Sequence, residues 1–127
     1  MRDTGLWHPR LASLVAGLGH TDTIVVADAG LPVPAGVETV QLALTRGVPS
    51  FRAVLAAMAG DLVIEAATVA AELTDEAVLA GVRALGVPVD SVPHTELKHR
   101  CATASAVVRT GEATPYANVI LRAGVPF

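Results

Sequence analysis

The feature that most constrains the fold is an alternation of helix-like and strand-like segments, separated by glycine and proline along the whole chain. Apolar residues at helical spacing after Pro9 predict a first helix over about residues 8–18, ended by Gly19. The β-branched run over residues 23–27 predicts a short buried strand that stops at Asp28. Because such alternation is typical of α/β proteins, we predict an α/β fold.

The same patterns predict three further helices and five further strands. The helices are expected over about residues 50–59, 77–85 and 95–102, with Thr74 and Thr95 as N-caps of the last two. The strands are expected over about residues 37–44, 61–67, 87–92, 105–109 and 118–122.

Length and composition predict one domain and self-association. A chain of 127 residues suits a single domain over residues 1–127. Hydrophobic residues make up 52% of it and charged residues only 17%, a balance that excludes a disordered chain. So many apolar side chains exceed what one small core hides, and we therefore expect a homo-oligomer.

Charge and cysteine usage exclude several classes of protein. The net charge is −3 and the basic residues are scattered, so we expect no nucleic-acid partner. A single cysteine, Cys101, excludes an intrachain disulfide framework and a cysteine-built zinc site, and a small buried residue in a reducing cytoplasm is the expectation. The apolar run over residues 11–18 is too short to span a bilayer, and we expect no membrane partner.

A first group of candidate site residues surrounds the predicted strand at residues 23–27. His20 follows the first helix, whose dipole favours a protonated imidazole, and Asp22 or Asp28 could orient its ring for proton transfer. The alternative is that His20 only caps the helix and that Asp22 only supports a turn.

A second group lies later in the chain. His94 and Lys98 are four residues apart and share a face of the predicted fourth helix, where they could grip hydroxyl groups or form only a surface pair. Tyr116 and Asn118 stand at the entrance to the last strand, either as directional sugar contacts or as a packed residue and a turn residue. No histidine and carboxylate set has metal-ligand spacing and no glycine-rich phosphate loop occurs, so we expect no metal and no cofactor.

Four ordered blocks together resemble the D-ribose pyranase family. They are Gly-His-Thr-Asp-Thr at residues 19–23, Asp-Ala-Gly-Leu-Pro-Val-Pro at 28–34, Gly-Val-Pro-Ser-Phe at 47–51 and Gly-Glu-Ala-Thr-Pro-Tyr-Ala-Asn at 111–118. The resemblance extends to residues 120–125 and covers nearly the whole chain. The related fucose mutarotases share the early Gly-His pattern, but the block at 28–34 is closer to the ribose branch. The segment between Ala71 and His94 is shorter than in longer relatives.

The resemblance implies a three-layer α/β/α subunit with a central mixed sheet. It implies a cytoplasmic ring assembly, typically a decamer of two stacked pentamers, with sugar sites near subunit contacts. It also implies an isomerase that interconverts the β-pyranose and β-furanose forms of D-ribose without a cofactor. Alternatives are a mutarotase of another monosaccharide such as fucose, a non-catalytic sugar-binding accessory of ribose uptake, and a purely structural ring subunit.

The resemblance also implies roles for individual residues. His20 would carry the acid/base role, and Asp22 would support it. The expected sugar contacts are Asp28, His94, Lys98, Tyr116 and Asn118, together with the backbone of Ala117.

Overall fold

A computed structural model describes residues 1–127 and contains one six-stranded mixed sheet with four α-helices. The helices are α1 (Pro9–Gly17), α2 (Phe51–Ala59), α3 (Glu76–Arg83) and α4 (His94–Arg100), and a 3₁₀ turn at Cys101–Thr103 continues α4. The strands are β1 (Thr23–Ala27), β2 (Glu38–Gln41), β3 (Ile64–Ala70), β4 (Val89–Val92), β5 (Ala106–Arg109) and β6 (Val119–Ala123). The predicted α/β class is confirmed.

The strand order is β2-β5-β1-β6-β3-β4, and only β6 runs against its neighbours. β1 is parallel to β5, β5 to β2, and β3 to β4, whereas β6 is antiparallel to both β1 and β3. The carboxyl ends of five strands therefore share one edge of the sheet with the start of β6. We call this the carboxyl edge and the other the amino edge.

The sheet separates two apolar layers, which makes the chain a three-layer α/β/α structure as expected. In β1 the side chains alternate, so that Ile24 and Val26 join the larger layer while Val25 and Ala27 join the smaller one. Apolar faces of α1, α2 and α3 complete the larger layer. The smaller layer is completed by Leu97 of α4 and by Cys101.

Two predicted boundaries are wrong because hydrogen bonds that the sequence pattern did not show decide where the elements start. Helix α3 is capped by Asp75 rather than Thr74, since Asp75 Oδ1 accepts from Val78 N–H at 2.9 Å. Strand β3 starts three residues later than the predicted position 61, and the Asp61 carboxylate instead accepts from the N–H of Leu6 at 2.8 Å.

Helix α4 starts at His94, so Thr95 lies inside it rather than capping it. Pro93 occupies the N-cap position and makes no side-chain capping bond. The His94 N–H donates instead to the two carboxylate oxygens of Glu72, at 3.0 and 3.1 Å. A carboxylate beside the first turn also favours the helix electrostatically.

Cys101 is fully buried, as predicted, and its thiol lies 3.3 Å from the Leu97 carbonyl oxygen. Burial raises the pKa of this thiol. The thiolate is the reactive form of cysteine, and the geometry therefore favours a packing role over a nucleophilic one.

Leu97 anchors α4 to the sheet, and its truncation should destabilise the protein. It is the only fully buried side chain of α4. We predict that Leu97→Ala lowers the free energy of unfolding by about 2–5 kcal/mol, through lost burial and a cavity. Urea denaturation at matched protein concentration measures the change. His99→Ala, an exposed position on the same helix, is the control and should change stability by less than about 0.5 kcal/mol.

Candidate active site

The candidate residues collect at two opposite edges of the sheet rather than in one place. His20 and Asp22 precede β1 and lie at the amino edge, whereas Asp28 follows β1 at the carboxyl edge. A strand rises about 3.3 Å per residue, so the four steps from Thr23 to Ala27 span about 13 Å, and His20 and Asp28 lie beyond the two ends of β1. The hypothesis that Asp28 orients His20 within one chain is therefore wrong.

At the carboxyl edge, Asp28 and Asn118 form a reciprocal pair. Asn118 is fully buried, and its Oδ1 accepts from the Asp28 N–H at 2.8 Å while its Nδ2 donates to Asp28 Oδ2 at 3.1 Å. The other Asp28 oxygen accepts from Gly30 N–H at 2.9 Å. Three hydrogen bonds thus fix the carboxylate and amide in one orientation.

Tyr116 and His94 meet beside this pair. Their rings make an edge-to-face contact with centroids 5.0 Å apart, and Tyr116 has a φ of 62°, in the left-handed region that a bulky residue rarely adopts. Strain of this kind concentrates at functional sites. His94 Nδ1 is shielded from solvent and has no hydrogen-bond partner in the chain, so its hydrogen-bonding capacity is unused there.

Lys98 lies on the same helix as His94, and Ala117 directly follows Tyr116 in the chain. Lys98 is four residues after His94 on α4, is half-buried and forms no ion pair with a carboxylate. Ala117 is fully buried between Tyr116 and Asn118. The carboxyl edge therefore combines hydrogen-bonding groups of several kinds: a carboxylate, an amide, a phenol, an imidazole and an ammonium group.

At the amino edge, the side chain of His20 contacts Glu65, a residue that the sequence analysis missed. His20 Nε2 lies 2.9 Å from Glu65 Oε2, and Glu65 Oε1 forms an ion pair with Arg122 Nε at 2.7 Å. The hydrogen bond from His20 lowers the pKa of Glu65 below its ordinary value of 4.5, and the charge of Arg122 acts in the same direction. Glu65 therefore remains a carboxylate at neutral pH.

Asp22 does not orient the His20 ring either. Its carboxylate accepts from the Gly19 N–H at 2.8 Å and so holds the turn that carries His20. The contact of the His20 ring is with Glu65 on β3, and α1 ends at a Leu18 cap that does not involve His20. The only sequence signal for Glu65 is that it is the single acidic residue of a mostly apolar strand.

A groove of about 450 Å³ opens on the α4 side of the sheet, next to the amino edge. Its polar lining includes Thr68, Asp90, Arg100 and Arg122. None of the site residues predicted from the sequence lines it. Arg122 belongs to both the groove and the Glu65 contact.

The structure shows neither a cluster of metal-ligating side chains nor a helix able to cross a membrane. No group of three or more histidine, cysteine or carboxylate side chains is arranged to hold a metal ion. The longest helices, α1 and α2, have nine residues each, and no helix meets the length and hydropathy needed to cross a bilayer.

Comparison with known proteins assigns the family. Residues 1–126 match the sequence model of the RbsD / FucU transport protein family. This chain belongs to that family. The D-ribose pyranase of Symbiobacterium thermophilum is 50% identical over the whole length of both proteins.

Solved structures of the RbsD / FucU family share the fold. The structure of Bacillus subtilis RbsD complexed with D-ribose superposes with a TM-score of 0.95, at 42% identity and over the whole of both chains. The fucose mutarotase of Streptococcus pneumoniae, in complex with L-fucose, superposes with a TM-score of 0.78 over 96% of this chain and 100% of its own. At 20% identity, the mutarotase shows the common fold alone.

Removal of the buried Asn118 amide should destabilise the carboxyl edge. We predict that Asn118→Ala lowers the free energy of unfolding by about 1–3 kcal/mol, because the Asp28 N–H loses its acceptor. Thermal or urea denaturation measures the loss. Asn118→Asp places a second carboxylate against Asp28 and should be at least as destabilising at neutral pH, with partial recovery on acidification. A fully stable Asn118→Ala protein would contradict the importance of the pair.

Proposed function

We propose that this protein is a D-ribose pyranase, an isomerase that interconverts the β-pyranose and β-furanose forms of D-ribose. The observation that carries the proposal is the full-length superposition on a D-ribose complex of RbsD, with a TM-score of 0.95. Identity of 50% to a D-ribose pyranase over the whole chain supports the same reaction.

The reaction needs only proton transfers. Opening a cyclic hemiacetal removes the proton of the anomeric hydroxyl and adds a proton to the ring oxygen, and closure through another hydroxyl reverses these transfers. No atom is oxidised or reduced, so the reaction needs no redox partner. Well-placed acid/base groups typically accelerate such steps by about 10²–10⁴-fold.

In this proposal His20 is the acid/base catalyst, and the carboxyl edge holds the sugar. The sugar contacts are Asp28, His94, Lys98, Tyr116 and Asn118, with the Ala117 backbone beside them. The unpartnered Nδ1 of His94 supports a ligand contact, as does the unpaired ammonium group of Lys98. Asp22 supports the reaction indirectly by holding the His20 turn.

The separation of the two edges supports a site shared between two copies of the chain. Strand β1 separates His20 from Asp28 by about 13 Å, which is too far for both to touch one pentose. His20 of one copy therefore acts on a sugar held by the carboxyl edge of another. Exposed apolar side chains at Trp7, Leu44 and Phe127 supply surface for such contacts.

A ring-based assembly, a decamer of two stacked pentamers, completes the proposal because a ring repeats one contact between successive copies. We place the enzyme in the cytoplasm, where a free thiol such as Cys101 stays reduced.

The activity is tested by NMR magnetisation transfer between the pyranose and furanose anomeric signals of D-ribose. We expect the wild-type protein to accelerate the exchange and His20→Ala to lose about 10²-fold or more of that acceleration. The sample without protein gives the background rate. Saturable ribose binding without faster exchange would favour an accessory binding protein, and absence of binding would direct the assay to fucose and other sugars.

The shared site is tested by complementation between two inactive variants. His20→Ala and Asp28→Ala should each be inactive alone, because each removes one half of every site. Coexpressed in equal amounts and randomly mixed, they should regain about one quarter of wild-type activity, since one pairing in four joins an intact His20 to an intact Asp28. A site contained within one chain would show no recovery.

A further inference from the structure

Glu65 and Arg122 form a second set of side chains around the proposed catalyst. We infer that Glu65 is a positioning residue, which holds His20 as the tautomer with its proton on Nε2 and leaves Nδ1 to exchange protons with the sugar. Glu65 would act through His20 and not touch the sugar. The inference rests on the proposed function, because His20 is the proposed acid/base catalyst.

The rigidity of the sheet is the first support for this role. Glu65 lies on β3 and Arg122 on β6, two strands joined by backbone pairing, including Ala66 with Arg122. The two oxygens of Glu65 have separate partners, His20 Nε2 at 2.9 Å and Arg122 Nε at 2.7 Å. A loop histidine is thus tied to a carboxylate that the sheet and an arginine both hold in place.

Hydrogen-bond chemistry then selects the tautomer. An ionised carboxylate only accepts hydrogen bonds, and arginine stays protonated in proteins. His20 Nε2 must therefore donate to Glu65 in both the neutral and the protonated ring. A neutral imidazole has one N–H, so its lone pair lies on Nδ1. Nδ1 can take the anomeric hydroxyl proton and return a proton to the ring oxygen, which balances the reaction without another reactant.

The backbone around His20 is held independently of Glu65. The Thr21 N–H donates to the Ala123 carbonyl oxygen at 2.9 Å, and the Ala123 N–H donates to the Asp22 carbonyl oxygen at 2.8 Å. The charged groups around the imidazole are Glu65 from β3, Arg122 from β6 and Asp22 from its own turn. Loss of the Glu65 charge should therefore affect the ring while the turn stays attached to β6.

The kinetic test compares two glutamate-to-glutamine variants. Glu65→Gln keeps the side-chain size, but its amide can either donate to or accept from the ring and no longer imposes one tautomer. We expect kcat for ribose exchange to fall about 10-fold or more, with KM changed by less than about 3-fold. Glu65→Asp restores the charge on a shorter side chain and should recover part of kcat.

Glu38→Gln is the matched control. Glu38 is also a strand glutamate held by an arginine, Arg10, with N–O distances of 2.6 and 2.7 Å, but it has no contact with His20. Exchange by Glu38→Gln should equal that of the wild type. The positioning role would be overturned if Glu65→Gln kept the wild-type kcat. This conclusion requires that the wild type is active and that His20→Ala is inactive.

The tautomer is tested directly in the wild-type protein, without dependence on the folding of a variant. Ring nitrogen chemical shifts of isotope-labelled histidine distinguish the two neutral tautomers, and loss of a signal in His20→Ala assigns His20. We expect the Nε2–H form in the wild type and a mixture in Glu65→Gln. A wild-type Nδ1–H form would refute the inference. Absence of ribose exchange in the wild type would refute the proposed function instead, while this measurement still decides the tautomer.

Discussion

The double-sided pairing of β1 is the constraint on which the rest of the molecule depends. Its residues Ile24 to Ala27 are fully buried, and the strand is hydrogen-bonded to β5 on one side and to β6 on the other. A strand so enclosed has nowhere to place a polar side chain except beyond its ends. The functional groups of this region therefore gather before Thr23 and after Ala27, and the length of the strand sets the distance between them.

The antiparallel direction of β6 explains why each edge carries a complete polar cluster. The start of β6 lies beside the end of β1, which brings Asn118 to Asp28. Its end lies beside the start of β1, which brings Arg122 to the region of His20 and Glu65. If β6 were parallel to β1, its start would lie beside the start of β1. Asn118 would then not reach Asp28, and Arg122 would not reach the region of His20 and Glu65.

The sequence predicted those parts of the fold that depend on local chemistry. β1 was predicted with its observed bounds because a β-branched run ends at a charged residue. β3 was misplaced because residues 61–67 are apolar almost throughout, and the contact that removes Asp61 from the strand is made to Leu6, 55 residues earlier. Glu65 was missed for the same reason, since its partner His20 is 45 residues away and meets it only through the strand order. The family resemblance supplied residue types for the site. The predicted bounds of β1 already placed His20 and Asp28 at opposite ends of a strand, but they did not reveal Glu65 as the partner of the His20 ring.

The register of β6 couples these two edges. Side chains on a strand alternate between its faces, so a slip of one residue would turn Arg122 toward the larger apolar layer and Leu121 toward the groove. The same slip would withdraw the Asn118 amide from Asp28. An insertion or deletion within β6 would change the spacing between Asn118 and Arg122, so the two clusters could not both keep their register, although they never touch. The two clusters are therefore coupled through the length of β6, and the position of one restricts the position of the other.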